Sequence, residues 1–328
     1  MKCETAVVLV DPEVLRPGTL RLNAGQPERF VVRSLRRFAG RVAIHPFTGV
    51  AAFLKMLEDE RPSLVFNLTE HVYGDRRMDS HICALMELER IAYTGTGPTG
   101  LALCRDKALS KVMAERAGFR VPAWFATQTW QPRVPPGVRF PLVVKPRFGD
   151  GSEGIGQNSL VASHADLMAR IRALGSGGVK DAICEEYIAG REMVIAIAGL
   201  RTMPVREFVV GRKGDGAPVL ACQRFKHDAA YRRRWRVRMV FAELTRGEQR
   251  TLNELALRTF DALDMRDYGR LDVKLAPSGD WVFLEANPNP ALAPFQRSFS
   301  GSWAGVDFDR LVKEIATRAM RRGRVIGA

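Results

Sequence analysis

A chain of 328 residues with 46% hydrophobic and 26% charged side chains can bury ordinary cores, which excludes a disordered polymer and favours two or three lobes around a cleft. No run of about 18 apolar residues occurs, so the sequence predicts no membrane span. The net charge of +14 suggests nucleic-acid binding, but no finger, recognition helix or aromatic-interleaved basic motif accompanies it. The charge therefore favours a site for an anionic nucleotide over nucleic acid as the main ligand.

The cysteines indicate a reducing environment. There are five of them, an odd number, and they are widely spaced along the chain. No Cys-x-x-Cys pair exists, so the sequence predicts neither a zinc site nor a disulfide framework. This usage is typical of a cytoplasmic protein.

The first hundred residues alternate short apolar strands with helical patterns. The predicted strands are 6–10, 42–44 and 64–66, and the predicted helices are 27–38, 50–60 and 78–90. This alternation predicts an α/β domain over 1–97 with a doubly wound parallel sheet, whose ligand edge lies at the carboxyl ends of the strands. We expect Glu70 and His71, at that edge, to contact a substrate.

A central subdomain is predicted over 98–186, because the small, turn-prone stretch 92–100 marks a boundary. Its first helix is predicted over 106–118, where Gly118 provides the C-cap. The remaining segments are an edge strand at 121–124, a proline-containing linker at 128–139, a strand at 140–146, a helix at 164–174 and a strand at 181–187.

A glycine-rich segment over 147–156 follows the strand that ends near Lys145. Backbone N–H groups around Gly151 and Ser152 can approach phosphate oxygens in such a turn, and Lys145 adds a point charge. An unpaired lysine in the apolar run Leu-Val-Val-Lys would be costly to bury, which also favours a phosphate ligand. No Walker A motif is present, and a plain hairpin is the alternative.

The segment 185–192 is predicted to link two strands. Its extended backbone around 186–188 can offer N–H and C=O groups to an adenine edge, and Glu192 can bind ribose hydroxyls. A surface strand with ordinary charges is the alternative.

A second subdomain of α+β type is predicted over 187–328. Its segments are strands at 192–198, 204–210 and 219–221, a basic loop at 223–238, a helix at 246–263, a hairpin at 268–290 and an amphipathic helix at 310–324. The loop 223–238 carries seven Arg or Lys residues, and we expect it to close over the phosphates as a lid. A disordered basic insertion is the alternative.

The hairpin is the most informative part of the chain. Apolar alternation predicts two strands, the second with Val282 and Leu284 on its apolar face. Glu285 and Asn287 lie two residues apart and so share the other face, and strand pairing would bring Asp272 to them. Such an all-oxygen cluster is what Mg²⁺ prefers. A hairpin with ordinary surface acids is the alternative.

From Val65 to the C-terminal helix the order of motifs resembles that of the D-alanine–D-alanine ligases of the ATP-grasp superfamily. The motifs are Tyr93-Thr-Gly, Asp106-Lys-x-x-x-Lys111, Val-Val-Lys-Pro146, the glycine–serine loop, Glu185-Glu-Tyr-Ile-x-Gly-x-Glu192, Gly-Arg-Leu-Asp272 and Leu-Glu-Ala-Asn287. The resemblance implies an ATP-grasp fold and an ATP-dependent ligase that joins two amino acids through an acyl phosphate. It also implies ATP and two Mg²⁺ ions, or Mn²⁺ in their place, and a homodimer.

The resemblance implies roles for matching positions. Lys107 and Lys145 would contact phosphates, and Arg270 would stabilise the oxyanion of a tetrahedral intermediate. The remaining roles would be adenine binding by Glu185, Tyr187 and Ile188, ribose binding by Glu192, and metal binding by Asp272, Glu285 and Asn287. A helix-surface lysine at position 107 and an ion pair between Arg270 and Asp272 are the structural alternatives.

The chain departs from the family pattern in the amino-acid pockets. The family's acidic residue in a glycine-rich turn after the first strand has no match in 10–18, and 67–75 replaces its usual His-Gly element. The loop retains Tyr231, for which Lys226 would supply the partner charge, and Arg297 or Ser298 would bind the second substrate's carboxylate. The alternatives are therefore a specialised peptide or natural-product ligase and, in another class, a non-catalytic nucleotide- or nucleic-acid-binding protein.

Overall fold

The computed structural model describes residues 3–149, 154–211, 220–222, 224–225, 228–294 and 302–326. Across these segments, no helix combines the length and the apolar character that a membrane crossing needs. All five cysteines are buried and none is in a disulfide.

The N-terminal part is the predicted parallel α/β unit. Its elements are β1 (Cys3–Val10), α1 (Glu28–Leu35), β2 (Ala39–Pro46), α2 (Val50–Glu60), β3 (Leu64–Asn67) and α3 (Asp79–Leu88). The strands pair in parallel in the order β2-β1-β3. The central strand is buried over its last five residues, as expected for a parallel sheet covered on both faces. Its carboxyl end delivers Asp11 to the domain edge.

The central part is a four-stranded antiparallel sheet with helices. Its elements are α4 (Pro98–Arg105), α5 (Lys107–Arg116), β4 (Trp124–Gln128), β5 (Leu142–Pro146), β6 (Leu160–Val161), α6 (His164–Ser176) and β7 (Asp181–Glu186), with strand order β4-β7-β5-β6. Helix α4 was not predicted. Pro98 starts it at a position where a missing N–H costs nothing, and Asp106 ends it and also caps α5. Strand β4 begins where the predicted edge strand ends.

The third part is an antiparallel sheet in the order β11-β10-β8-β12-β13, with β9 paired to β8. Its strands are β8 (Arg191–Ala198), β9 (Arg201–Thr202), β10 (Arg206–Val210), β11 (Val237–Phe241), β12 (Tyr268–Leu275) and β13 (Trp281–Asn287), and its helices are α7 (Ala229–Trp235), α8 (Arg246–Ala262) and α9 (Phe308–Ile326). The mixed α/β and α+β class is confirmed. The domain bounds at 97 and 186 stay predictions.

The predicted loop 223–238 is wrong for much of its length. Helix α7 begins after Asp228, whose carboxylate accepts the Tyr231 N–H, and β11 begins at Val237. The segment has no periodic pattern of apolar residues, but Phe225, Tyr231 and Trp235 pack together with ring centroids 4.9 to 6.4 Å apart. The predicted strand at 219–221 is also wrong where it is described, because residues 220 and 221 form no strand.

Helix α9 joins the two ends of the chain. Leu311, Ile315 and Ala319 are buried in the same core as the N-terminal sheet. Arg322 donates to the Asp267 carboxylate, at 2.8 and 3.0 Å, and to the Tyr93 carbonyl, at 2.8 Å. The start of β12 is therefore held against the 93–95 segment.

A β-bulge interrupts the hairpin of β12 and β13. Asp272 pairs with Glu285, but Val273 pairs with Phe283, so Leu284 is the extra residue. Val282 pairs with Lys274 and so lies on the side of Asp272 and Glu285, so the predicted placement of Val282 and Glu285 on opposite faces is wrong. The bulge allows Phe283 to enter the core while Glu285 stays on the same side as Asp272.

Candidate active site

The hairpin brings four polar side chains to one face. Arg270 lies opposite Asn287, and Asp272 lies opposite Glu285, and directly opposed residues of antiparallel strands project to the same side. The Arg270 guanidinium donates to both Asp272 oxygens, at 2.6 and 3.0 Å. The predicted ion pair thus coexists with an oxygen-rich face.

Two predicted phosphate-binding lysines lie beside the glycine-rich segment. Lys107 begins α5, is buried, and its Nζ donates to the Gly149 carbonyl at 2.7 Å. Arg147 makes a two-pronged ion pair with Asp106, at 2.9 and 2.6 Å, and so ties the segment to the same helix end. The helix-surface alternative for Lys107 is wrong.

The predicted phosphate lysine Lys145 belongs to a buried ionic group. Its Nζ lies 3.0 Å from Glu185 Oε1, and Lys111 Nζ lies 3.2 Å from the same oxygen. Exposed fractions are 6% for Lys145, 3% for Glu185 and 0% for Lys111. The Glu185 carboxylate therefore faces two ammonium groups.

The pKa values in this group follow from burial and charge. Burial lowers the pKa of Lys111 to about 8, although Glu185 opposes the change. Burial would also lower the pKa of Lys145, but attraction to Glu185 and Glu285 outweighs it, and that pKa lies above its ordinary value. Burial opposes ionisation of Glu185, yet the two lysines hold its pKa below the usual range. The negative charge of Glu285 also raises the pKa of both lysines.

The link between β7 and β8 carries the predicted adenine and ribose groups. Ile188 is buried, and no residue in the described ranges accepts its backbone N–H. Lys274 Nζ donates to the Ile188 carbonyl at 3.0 Å and lies 3.6 Å from Glu192. The same ammonium lies 4.8 Å from the centroid of the Tyr187 ring. These contacts hold the link extended beside β12.

The N-terminal edge holds an ionic cluster around Asp11. Its carboxylate accepts the Glu70 backbone N–H at 3.0 Å and lies 3.8 Å from His71 Nε2. His71 Nε2 pairs with Glu13, while its Nδ1 accepts the Gly74 N–H, so the proton lies on Nε2. Burial raises the pKa of Asp11 to about 6, against the effects of Glu70 N–H and His71.

A small pocket lies between this edge and the residues that follow β13. Its volume is about 20 Å³, and its lining includes Glu28, Glu70, Tyr268 and Asn289. Glu28 Oε2 is buried and makes no hydrogen bond within the described chain, and burial raises the pKa of Glu28. Glu70 binds Arg76 at 2.6 Å through its carboxylate. Two carboxylates, those of Glu28 and Glu70, therefore belong to the lining of this pocket.

Five predicted site residues lie outside the described residues: Gly151, Ser152, Lys226, Arg297 and Ser298. Tyr231 is described, and its ring is 4.0 Å below the Arg224 guanidinium within the aromatic cluster of α7. Its catalytic role stays a prediction.

Three residues at the site were given no role from the sequence. Lys111 follows Lys107 by four residues and thus shares its helix face, which is a usable signal. Lys274 follows Asp272 by two residues on a strand, a comparable signal. Glu28 offered none, because only the tertiary fold brings the start of α1 to the pocket.

The whole chain superposes on a known fold. It covers 99% of the crystal structure of a D-alanine–D-alanine ligase from Bacillus anthracis complexed with ATP, with 99% of this chain included, a TM-score of 0.72 and 17% identity. The architecture is therefore that of an ATP-grasp protein with an N-terminal parallel-sheet unit.

Sequence comparisons refine this class. A family model described as the D-ala D-ala ligase C-terminus matches residues 112–317. The y4sG protein of Sinorhizobium fredii, whose function is uncharacterized, is 32% identical over 79% of this chain and 75% of its own length. A D-alanine–D-alanine ligase of Alcanivorax borkumensis is 26% identical over 77% of both chains. The chain belongs to the D-alanine–D-alanine ligase family.

Proposed function

We propose that the protein is an ATP-dependent carboxylate–amine ligase that joins two amino-acid-like substrates. The observation that carries this proposal is the combination of buried cations and an oxygen-rich hairpin face. Lys145 and Lys107 lie beside the glycine-rich segment, and the charge of Glu285 acts on Lys145. This combination supports a site in which groups suited to anions act together with groups suited to a divalent cation.

The donor set on the hairpin suits Mg²⁺. Asp272, Glu285 and Asn287 offer only oxygen ligands on one strand face, and Mg²⁺ prefers a few carboxylates with water and phosphate oxygens. When bound, the ions would neutralise phosphate charge during transfer. The ion pair between Arg270 and Asp272 leaves lone pairs on the carboxylate, since each carboxylate has about four acceptor sites.

The nucleotide would lie between the β7–β8 link and the hairpin. The Ile188 N–H, which lacks an acceptor in the described chain, would donate to the adenine ring. Glu192 would accept from the ribose hydroxyls. The Glu185 carboxylate is already bound by two lysines, so we assign it to holding Lys145 and not to the adenine.

The reaction transfers the γ-phosphoryl group to a carboxylate oxygen and releases ADP. An amine nitrogen then attacks the carbonyl carbon of the acyl phosphate and a C–N bond forms. The C–O bond to the phosphate breaks, phosphate leaves with its electron pair, and the nitrogen loses a proton. Lys107 and Lys145 would orient the phosphates, and Arg270 would stabilise the oxyanion. The site thus needs no cysteine or serine nucleophile.

The N-terminal edge supports a ligase with substrates other than D-alanine as the second candidate. The family's glycine-rich turn is replaced by a cluster in which Asp11 and Glu13 bind His71. Glu28 and Glu70 line the nearby pocket, and its carboxylates suit a substrate ammonium group. The homodimer, the reducing compartment and the choice of D- or L-amino acids stay predictions.

A phosphate-release assay over pairs of D- and L-amino acids, with ATP and Mg²⁺, tests the proposal. We expect release that requires Mg²⁺ and both substrates. ATP binding without turnover for any pair would favour the non-catalytic class, as would retention on DNA that weakens steeply with salt.

A further inference from the structure

Helix α5 contains a lysine that the proposed mechanism does not use. Lys111 is fully buried, and few lysines are buried without a specific partner. Its Nζ lies 3.2 Å from Glu185 and donates to the Leu284 carbonyl at 2.9 Å. One ammonium group thus joins α5, β7 and β13.

The contact with Leu284 falls on the β-bulge of the hairpin. Leu284 is the extra residue of β13, and a bulge disrupts the local ladder of backbone hydrogen bonds. Lys111 gives the Leu284 carbonyl a charged donor at that point. The next residue is Glu285, whose orientation toward Asp272 depends on the bulge.

The contact with Glu185 reaches the phosphate side of the site. Lys111 and Lys145 lie 3.2 and 3.0 Å from the same Glu185 oxygen, so this carboxylate links the two ammonium groups. The Phe283 ring, 5.7 Å from Lys111 Nζ, forms another wall of the lysine's environment.

We propose that Lys111 is a positioning residue that fixes the metal-binding Glu285 relative to the phosphate-binding Lys145. It does so through the Leu284 carbonyl on one side and Glu185 on the other, and the inference rests on the proposed ligase function. Groups that orient metal ligands in this way commonly affect metal affinity more than they affect the rest of the site.

The test is the Mg²⁺ dependence of binding of a non-hydrolysable ATP analogue, measured by calorimetry. It uses wild type, Lys111→Met and the exposed-lysine control Lys55→Met. In Lys111→Met we expect affinity without Mg²⁺ to stay within about threefold of wild type. The gain in affinity on adding Mg²⁺ should shrink by about tenfold or more. The control Lys55→Met should match wild type both in its affinity without Mg²⁺ and in the gain in affinity on adding Mg²⁺.

Each outcome decides a different point. No analogue binding by wild type overturns the proposed function and, with it, the role of Lys111. If adding Mg²⁺ raises the affinity for the analogue as much in Lys111→Met as in wild type, only the positioning role is overturned. If Lys111→Met does not fold, Lys111→Gln, which keeps a hydrogen-bond donor, replaces it. Failure of both to fold while Lys55→Met folds makes Lys111 a folding residue and overturns the proposal.

Discussion

Asp272 and Glu285 lie directly opposite each other on β12 and β13, one residue before the strand register shifts. Opposed carboxylates on one face of a sheet repel each other. The ion pair from Arg270 relieves part of this repulsion at Asp272. A divalent cation shared by both carboxylates would relieve more, so the pair gains its stabilisation when the proposed nucleotide complex forms.

Glu285→Gln should abolish the Mg²⁺-dependent reaction while the fold is kept. The substitution retains the shape of the side chain but removes the charge that a divalent ion needs. We expect turnover to fall at least about 100-fold, equivalent to about 2.7 kcal/mol of barrier. ADP release against Mg²⁺ concentration measures it.

The matched control for this substitution is Glu254→Gln, on the exposed face of α8. It should have the wild-type rate. Circular dichroism and thermal melting should show all three proteins folded, because Glu285→Gln removes a repulsion and buries no new charge. A wild-type rate and Mg²⁺ response in Glu285→Gln would refute the metal assignment.

Arg270→Ala should raise the barrier of the chemical step by at least about 2.7 kcal/mol if its guanidinium stabilises the oxyanion. Arg270→Lys should recover little of the loss, because an ammonium cannot reproduce the fork that now holds both Asp272 oxygens. Single-turnover rates at saturating ATP separate this step from binding. The control is Arg250→Lys, on an exposed part of α8. An equal loss of rate in this control, or full activity in Arg270→Ala, would contradict the oxyanion role of Arg270.

The hairpin shows how far the sequence could predict this site. The two-residue spacing predicted that Glu285 and Asn287 share one face of a strand, and strand pairing predicted Asp272 beside them. The structure has this arrangement. The bulge at Leu284 could not be predicted from alternation, and the Leu284 carbonyl there accepts a hydrogen bond from Lys111 of helix α5, which is distant in the sequence. Local alternation treats a strand as regular and so placed Val282 and Glu285 on opposite faces.

In the segment 223–238 the sequence predicted a loop where the structure has a helix and the start of a strand. Its arginines concealed a helix, because the apolar positions through which α7 packs are aromatic and few. Phe225 is buried against Phe208 of β10, a contact that depends on the tertiary fold. Strands β1 and β3 were predictable because burial on both faces of a parallel sheet requires continuous apolar runs.

Asp11 should make stability fall as the pH rises. Its pKa is about 6 in the folded protein against 3.8 for the free side chain, because burial disfavours the charged form. The folded state therefore holds a proton between pH of about 4 and 6 that the unfolded state has lost. The stabilisation of the folded state by protonated Asp11 is therefore full below pH of about 4, and it is lost as the pH rises through about 6.

Asp11→Asn removes this dependence while it keeps an oxygen for the Glu70 N–H. At pH 7 the variant should be more stable than wild type by about 3 kcal/mol, and the two should converge near pH 4. Urea unfolding from pH 4 to 8 measures the difference. A constant offset across this range would show that the Asp11 carboxyl does not titrate there.

Helix α7 should become resistant to trypsin when nucleotide binds. Arg233, Arg234 and Arg236 are exposed, while the aromatic face of the helix packs in one cluster with Ile155, near the end of the glycine-rich segment. A bound ATP analogue with Mg²⁺ would attract these guanidinium groups and hold the helix over the phosphates, which excludes water from a hydrolysable intermediate. We expect cleavage at these three positions to slow by about tenfold or more, in proportion to the stabilisation of the closed state.

Arg21, exposed in the N-terminal unit, serves as the internal control, and its cleavage rate should not change. Equal cleavage of α7 with and without the analogue, at concentrations where calorimetry shows full binding, would rule out the lid.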